Sequence, residues 1–193
     1  MKGYLNYFKL RLITNLQYRS AAIAGVLTQL FFGMVYIMIF LALYESNQGS
    51  NAPMEISKVV TYLWLQQAFF SLVFPVPKDH ELLGMIKNGN LAYELVRPND
   101  FYIKFYIKLL AKRYTACLLR FWPLIIIGFI VPYPYRLSLP LSLEHFILFI
   151  LALLLASILV NAISLMVHIL TMFTIDDRGV ITIAITIMDL FMG

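Results

Sequence analysis

The sequence predicts an all-α integral membrane protein, a polytopic bundle of helices that crosses the bilayer several times. Of its 193 residues, 61% are hydrophobic and 13% are charged, and the mean hydropathy is +0.81. Soluble domains have roughly 45–50% apolar and about 25% charged residues. Several uninterrupted apolar runs also reach the ~18–20 residues that a bilayer-spanning helix needs. For most of this chain, lipid therefore replaces the buried core of a soluble protein.

Residues 1–19 are expected to form an amphipathic helix that lies in the membrane interface and leads into the first span. Leu5, Phe8, Leu12 and Leu16 recur at helical spacing, while the polar residues mostly lie elsewhere. A simple anchor and a working part of the protein are equally consistent with this pattern.

The spans are delimited by the positions where charge disappears from the sequence. Four complete spans and a truncated fifth are predicted, at 20–44, 59–76, 114–131, 146–175 and 180–193. The third is interrupted by Arg120 and Pro123. The fourth, about 45 Å long as a helix, must tilt, break or project beyond the membrane. The fifth would reach only about 21 Å of a ~30 Å hydrocarbon core, so we expect a truncated last helix.

Lysine and arginine are distributed asymmetrically between the two predicted sides. Twelve lie in the N-terminal segment, in the long loop at 77–113 and after the fourth span, against only Lys58 and Arg136 on the other side. The positive-inside rule then places the N-terminus and the 77–113 loop in the cytoplasm. The net charge of +5 indicates topology and attraction to anionic lipid, and nucleic acid is not expected as a partner.

The 77–113 loop is the largest polar surface of the chain and far exceeds the usual 2–8 residues between neighbouring helices. Asp79 can cap a short helix over 80–87, and Asn88 with Gly89 supplies a stop signal. The loop is therefore expected to be ordered.

Further along this loop, Pro98 disfavours helix at Arg97, and Asn99 or Asp100 can cap a helix that runs straight into the third span. A set of apolar and aromatic residues argues against disorder: Tyr93, Leu95, Val96, Phe101 and Tyr102. An ordered platform of this length predicts that a partner docks here.

The stretch NGNLAYELVRPNDFY, residues 88–102, resembles the segment between the second and third helices of type-2 ABC exporter permeases. The family pattern is a Gly, then Tyr-x-x-x-Arg-Pro and an aromatic residue. It matches Gly89, Tyr93, Arg97, Pro98 and Tyr102. The stretches YFKLRLITNLQYR, TYLWLQQAF and MDLFMG are similar to other parts of the same family.

The resemblance implies a six-helix permease of a bacterial plasma membrane, paired with a second permease subunit and with two cytoplasmic ATPase subunits. The pairing would be a homodimer or a heterodimer, surrounded by membrane lipids. The loop after the second helix would be the coupling helix that sits on the ATPase. ATP and Mg are then expected on the partner, with no cofactor, metal or catalytic residue on this chain. The ATPase-coupling candidates are Gly89, Tyr93, Glu94, Arg97, Pro98 and Asp100.

Basic residues also follow the loop at regular spacing. Lys104, Lys108 and Lys112 fall at i, i+4 and i+8, where like charges disfavour an isolated helix. They are expected to face anionic lipid headgroups, which attract such residues.

Polar residues within the spans form the second group of candidates. In the fourth span, five of them follow steps of 4, 3, 4 and 3 on one stripe: Ser157, Asn161, Ser164, His168 and Thr171. Such a stripe avoids lipid, so it either packs against other helices or lines a polar pathway. Arg120 is an intramembrane cation that either snorkels to the interface or serves a function. Gln29, Gln66 and Gln67 are weaker candidates of the same kind.

Catalytic motifs are lacking in the sequence: it has no Walker-type loop, no HExxH and no Gly-x-Ser-x-Gly. One alternative is a membrane enzyme that acts on a phosphorylated lipid, with Lys78 or Lys87 and the cytoplasmic acids Asp79, Glu81, Glu94, Asp100, Asp176 and Asp177. A non-transporting scaffold is another. For a permease, the candidate cargoes are an amphiphilic drug, a peptide, a lipid-linked glycan or another solute.

Overall fold

A computed structural model describes residues 2–46, 54–76, 78–139, 142–174 and 177–192. Within these ranges the regular structure is helical, with eight α-helices: α1 (Lys2–Leu16), α2 (Arg19–Ser46), α3 (Ile56–Val73), α4 (His80–Lys87), α5 (Leu91–Leu95), α6 (Phe101–Ile130), α7 (Leu143–Thr174) and α8 (Asp177–Met192). Three of the described helices, α2, α6 and α7, are long and apolar enough to cross a membrane. The predicted all-α membrane protein is thereby confirmed, while the number of spans stays a prediction.

The helix bounds differ from the predicted spans in two instructive places. α3 ends at Val73 and not at 76, because Pro75 disfavours helical backbone at the residue before it. The predicted interruption of the third span at Pro123 is wrong, since α6 runs through this residue without a break. A proline is tolerated inside a membrane helix when neighbouring groups satisfy the backbone carbonyl that it leaves unpaired.

At other positions the shifts are small or fall outside the described residues. α7 begins three residues before the predicted 146 and α8 three residues before the predicted 180. Ile175, Asp176 and Gly193 lie outside the described residues, as do 47–53 of the loop after the first span. In α1, Phe8, Leu12 and Leu16 are half-buried, but Leu5 is exposed, so the predicted apolar face is only partly covered.

Two compact units make up the chain. The first consists of Met1–Ile13, Val73–Arg113 and Ile150–Gly193, and the second of Thr14–Leu72 and Tyr114–Phe149. α6 and α7 each contribute residues to both units.

The core of the first unit forms around α4. Leu82 of α4 packs with Phe105 and Leu109 of α6 and with Leu165 of α7. A second cluster consists of Val76, Leu83, Val167 and Ile181. The apolar side of a short amphipathic helix is thereby buried against long helices, and its polar side stays exposed.

The core of the second unit centres on Trp64, which is 1% exposed and packs among aliphatic residues of α2, α3 and α6. Its indole N–H donates to the carbonyl of Tyr135 at 2.8 Å. Gly128 allows the close approach of the ring, because a Cβ there would lie 3.1 Å from Trp64 Cδ2. By contrast, Trp122 on α6 is 60% exposed.

Candidate functional site

The start of the predicted docking loop folds as its local signals indicate. Asp79 Oδ1 accepts from the backbone N–H of Leu82 at 2.9 Å and caps α4. Gly89 has φ +70°, a left-handed conformation that favours glycine after a helix end. α6 is capped by Asp100, whose Oδ1 accepts from the N–H of Ile103 at 2.9 Å. The predicted helix over 80–87 and the helix that continues into the third span are therefore confirmed.

Between these two helices, α5 presents an apolar surface. Tyr93 is 74% exposed and Val96 is 86% exposed, with Leu95 beside them. We call Tyr93, Leu95 and Val96 the α5 patch. Pro98 follows it and is also exposed. An uncovered aromatic and aliphatic group on a polar segment is typical of an interaction site.

Glu94 lies beneath this patch and ties it to α6. Its carboxylate forms an ion pair with Lys104 of α6, and a second with Arg97 at 2.9 Å. The hydrogen bond from Lys104, which outweighs the effect of burial, lowers the pKa of Glu94 below its ordinary value. The sequence-predicted residues thus divide into Glu94, which braces the segment, and Tyr93 and Arg97, which reach outward.

Charged side chains from the start of α4, from α6 and from α1 form a cluster of ion pairs. Lys108 of α6 is 2.8 Å from Asp79 Oδ1 and 2.8 Å from Glu81 Oε2, and Glu81 also pairs with Arg11 of α1 at 3.1 Å. The side chains of Lys108 and Asp79 are 7% and 5% exposed. We call Asp79, Glu81, Lys108 and Arg11 the α4 charge cluster, of which Glu81 and Arg11 are partly exposed.

The charges in this cluster are set by their partners. Burial opposes the ionisation of Asp79 most strongly, but Lys108 and the N–H of Leu82 outweigh it and hold the pKa of Asp79 below its ordinary value. Burial likewise raises the pKa of Glu81, yet hydrogen bonding and charge from Lys108 and Arg11 lower it overall.

The expectation that the three lysines face lipid headgroups is wrong for Lys104 and Lys108 and stays a prediction for Lys112, whose side chain is 43% exposed. Lys104 and Lys108 pair with carboxylates, and the Nζ of Lys112 donates to the carbonyl of Lys78 at 3.1 Å. Three like charges at successive turns are stabilised when acidic groups of the preceding segment lie against them. The acids that precede these lysines in the sequence were the available signal.

Arg113 fixes the backbone where α3 ends. Its guanidinium donates to the carbonyls of Phe74 at 2.5 Å and of Pro75 at 3.0 Å. These carbonyls have no helical partner because α3 has stopped at Val73. The connection from α3 to α4 is thereby held by hydrogen bonds from α6.

The polar stripe of α7 is buried within the first unit. All five residues are at most 1% exposed: Ser157, Asn161, Ser164, His168 and Thr171. Asn161 Nδ2 donates to the carbonyl of Tyr106 at 3.0 Å. Ser157 and Thr171 donate to carbonyls of their own helix. These bonds support helix packing, whereas Asn161 Oδ1 and Ser164 Oγ are buried without a partner among the described residues. A pathway role for the stripe stays a prediction.

His168 joins this stripe to the start of α4. Its Nε2 accepts from the backbone N–H of Asp79 at 3.2 Å, and its Nδ1 lies 2.7 Å from the carbonyl of Ser164. A neutral ring with its hydrogen on Nδ1 satisfies both bonds. The histidine therefore has a defined structural partner on each side.

Arg120 of α6 belongs to the second unit and stands apart from these networks. Its guanidinium lies in the space that a Cβ on Gly25 of α2 would occupy. Within the described part of the chain, Arg120 has no hydrogen-bond or ion-pair partner. Gln29, one turn after Gly25, is 5% exposed, and neither amide atom has a partner among the described residues.

The acids proposed for a lipid-directed enzyme are mostly engaged elsewhere. Asp79, Glu81 and Glu94 form the ion pairs given above, and Lys87 pairs with Asp177, whose pKa the hydrogen bond from Lys87 lowers. Asp100 caps α6, and Asp176 lies outside the described residues. In the described ranges, no group of three or more His, Cys, Asp or Glu side chains could hold a metal ion.

Comparison with known protein families gives one match. The family model described as "ABC-2 family transporter protein" matches residues 24–193, which is all but the first 23 residues of the chain. Neither the curated proteins nor the solved structures gave a match.

Proposed function

The chain belongs to the ABC-2 family of transporter proteins, and on that premise we propose that it is the permease subunit of an ATP-driven exporter. It would form part of the translocation pathway and couple a separate cytoplasmic ATPase to export. ATP and Mg would bind to that ATPase. A second permease subunit, identical or different, would complete the pathway in the plasma membrane.

The observation that carries this proposal is the α5 patch. Tyr93 and Val96 are 74% and 86% exposed, although the segment that bears them is polar and tightly held. Large exposed apolar side chains on a fixed support suit docking into a partner's groove, where aromatic residues supply much of the binding energy.

The support beneath the patch suits the transmission of movement. Glu94 joins α5 to Lys104 near the start of α6, and the cap at Asp100 begins α6 shortly before it. A displacement of α5 by a moving partner would therefore act on the first turns of a 30-residue helix. Under this proposal, Arg97 and Tyr93 meet the ATPase while Glu94 braces the segment.

The topology that accompanies this function places the N-terminus and residues 77–113 in the cytoplasm. The positive-inside rule supports this side for the basic segments. Single cysteines test it: Asn88→Cys and Leu139→Cys, each with Cys117 replaced, should react with impermeant reagents from opposite sides of intact cells. Labelling of both from outside would reject the orientation and the docking role together.

The docking role is tested by co-purification with the ATPase in mild detergent. The double variant Tyr93→Ala with Val96→Ala should reduce the amount of ATPase recovered per permease and the substrate-stimulated hydrolysis. Membrane insertion should be unchanged, because both side chains are exposed.

A matched control removes equally exposed apolar groups on the opposite predicted side, Leu139→Ala with Leu143→Ala. It should keep wild-type association. Equal recovery of ATPase with the α5 double variant and with wild type would contradict docking through the patch.

A second double variant, Glu94→Ala with Arg97→Ala, tests the ion pair that supports α5. It should reduce association with the ATPase or the stimulated hydrolysis. Unchanged association and hydrolysis would remove these two residues from coupling.

A further inference from the structure

We propose that Arg120, Gly25 and Gln29 form an anion site in the membrane-embedded part of the second unit, which binds the phosphate or carboxylate headgroup of an amphiphile. Resident lipids and a transported amphiphile share this chemistry. Only the transported case rests on the proposed exporter function.

The site begins with a cation that packs closely against a helix backbone. The guanidinium of Arg120 lies against the backbone of α2, where any side chain larger than that of Gly25 would collide with it. Arg120 is only half-buried, so part of the guanidinium is accessible from outside the chain. Gly25 therefore leaves the space that the guanidinium occupies against α2.

Polar groups near Gly25 lack hydrogen-bond partners. Both amide atoms of Gln29 and the Nε of Arg120 are buried without a hydrogen bond to any described residue. The large majority of buried side-chain polar atoms in proteins have a hydrogen-bond partner. Gln29 and Arg120 offer N–H donors, and an oxyanion accepts several of them at once.

No acid of the second unit serves as counter-ion in the described structure. Glu45 lies at the far end of α2, about 30 Å along the helix from Gly25, and Glu55 pairs with Lys58. Glu144 lies in the first turn of α7 and forms no ion pair with Arg120 in the described structure. An unpaired cation in this setting indicates a ligand-bearing position, because ionisable side chains within membranes are costly. The negative charge is therefore expected to come from another molecule.

The depth of the site points to an amphiphile. Gly25 lies six residues beyond Arg19, about 9 Å along α2, and Arg120 lies seven residues beyond Arg113, about 10 Å along α6. In the proposed topology both distances start at the cytoplasmic interface. A headgroup can reach this level from the inner leaflet, where long arginine side chains meet phosphate oxygens.

The test measures lipid selectivity of the full chain in phosphatidylcholine vesicles. Spin-labelled phosphatidic acid and spin-labelled phosphatidylcholine are compared by the fraction of each label immobilised by the protein. The wild type should prefer phosphatidic acid, and Arg120→Gln should lose this preference. Arg19→Gln, which removes the same charge at the exposed start of α2, should keep it.

A second variant fills the space beside Gly25 without removing the charge of Arg120. Gly25→Ala should displace the guanidinium and lower the selectivity, although alanine favours the helix. Wild-type selectivity in both Arg120→Gln and Gly25→Ala would overturn the site. No preference for phosphatidic acid in the wild type, together with loss of permease dimers in Arg120→Gln, would also overturn it and assign Arg120 to a partner subunit.

The two sources of the anion are separated by ATP hydrolysis in the assembled complex. Stimulation by decyl phosphate, but not by an uncharged decyl glucoside, that disappears in Arg120→Gln would identify a transported anionic amphiphile. Lost lipid selectivity with unchanged hydrolysis would identify a resident lipid. Failure of the wild-type chain to bind any ATPase would reject the exporter function alone, because the vesicle measurement needs no ATPase.

Discussion

The two compact units stabilise their helices by different interactions. The first unit buries the ion pair of Asp79 with Lys108 and extends it outward through Glu81 to Arg11, and the buried ring of His168 bonds with backbone groups. The second unit buries an apolar core around Trp64 and leaves Arg120 and Gln29 without partners among the described residues. The clearest contrast is between two cations: Lys108 is paired with carboxylates, whereas Arg120 has no partner among the described residues.

The largest effect is expected from removing the central cation of the first unit. Lys108→Met would leave buried Asp79 with only the longer 3.9 Å contact to Lys112, which should lower the free energy of unfolding by about 3–5 kcal/mol. Thermal and denaturant unfolding of the purified protein measure this. Lys58→Met, which breaks an exposed pair in the second unit, should cost at most about 1 kcal/mol.

A double variant sharpens this measurement. Asp79→Asn added to Lys108→Met removes the buried charge and keeps an oxygen that can cap α4, so it should recover part of the lost stability. If Lys108→Met lowers the free energy of unfolding no more than Lys58→Met does, the ion pairs of Lys108 do not stabilise the first unit.

The next largest effect is expected from acid, because the carboxylates with lowered pKa values lie in the first unit. The pKa values of Asp79, Glu81 and Glu94 lie below their ordinary range, so each of these ionised groups stabilises the fold above pH about 4. That contribution should persist from pH 7 to about 5 and disappear as the pH falls through the lowered pKa values. Unfolding temperatures over this range measure it.

The variant with Lys108→Met and Asp79→Asn provides the control, because its curve should be flatter between pH about 5 and about 3. A wild-type curve that is equally flat would show that these carboxylates gain nothing from their partners.

A smaller loss is expected from the polar stripe of α7. His168→Leu would leave the buried N–H of Asp79 without its acceptor, at a cost of about 1–3 kcal/mol. The unfolding temperature should fall while substrate preference stays the same. An altered substrate preference in a stable complex would instead assign the stripe to the translocation pathway.

The smallest effect tests the apolar packing of the second unit. Gly128→Ala would press a methyl group against Trp64 and Leu137, a strain of about 1–3 kcal/mol that the helix preference of alanine offsets by about 0.5–1 kcal/mol. Gly84→Ala on α4 has open space and should be neutral or stabilising. Equal unfolding temperatures for the two variants would mean that the core around Trp64 yields easily.

The sequence predicted the features that depend on residues close to each other along the chain. The cap at Asp79, the stop at Gly89 and the cap at Asp100 each act over three or four residues, so composition and spacing reveal them. The α7 stripe was visible because its spacing follows the helix period. The family pattern around Tyr93 and Arg97 indicated the segment that we propose as the docking site.

Contacts between distant residues were missed. Lys108 meets an acid 29 residues earlier, and His168 meets a backbone group 89 residues away. Spacing along one helix showed three lysines on one side and said nothing of the segment that would cover them. Likewise, Arg120 was recognised as an intramembrane cation. Its close contact with Gly25 was not predicted, because it depends on how α2 and α6 approach each other.

The contrasting surroundings of the two tryptophans provide an intrinsic optical probe. Trp64 is buried and should emit at short wavelength, whereas Trp122 is exposed and its emission should respond to quenchers in the surrounding bilayer. The sequence contains no other tryptophan. The ultraviolet fluorescence of the unlabelled chain therefore carries two separable signals, one for the integrity of an interior and one for what lies against an outer surface of α6.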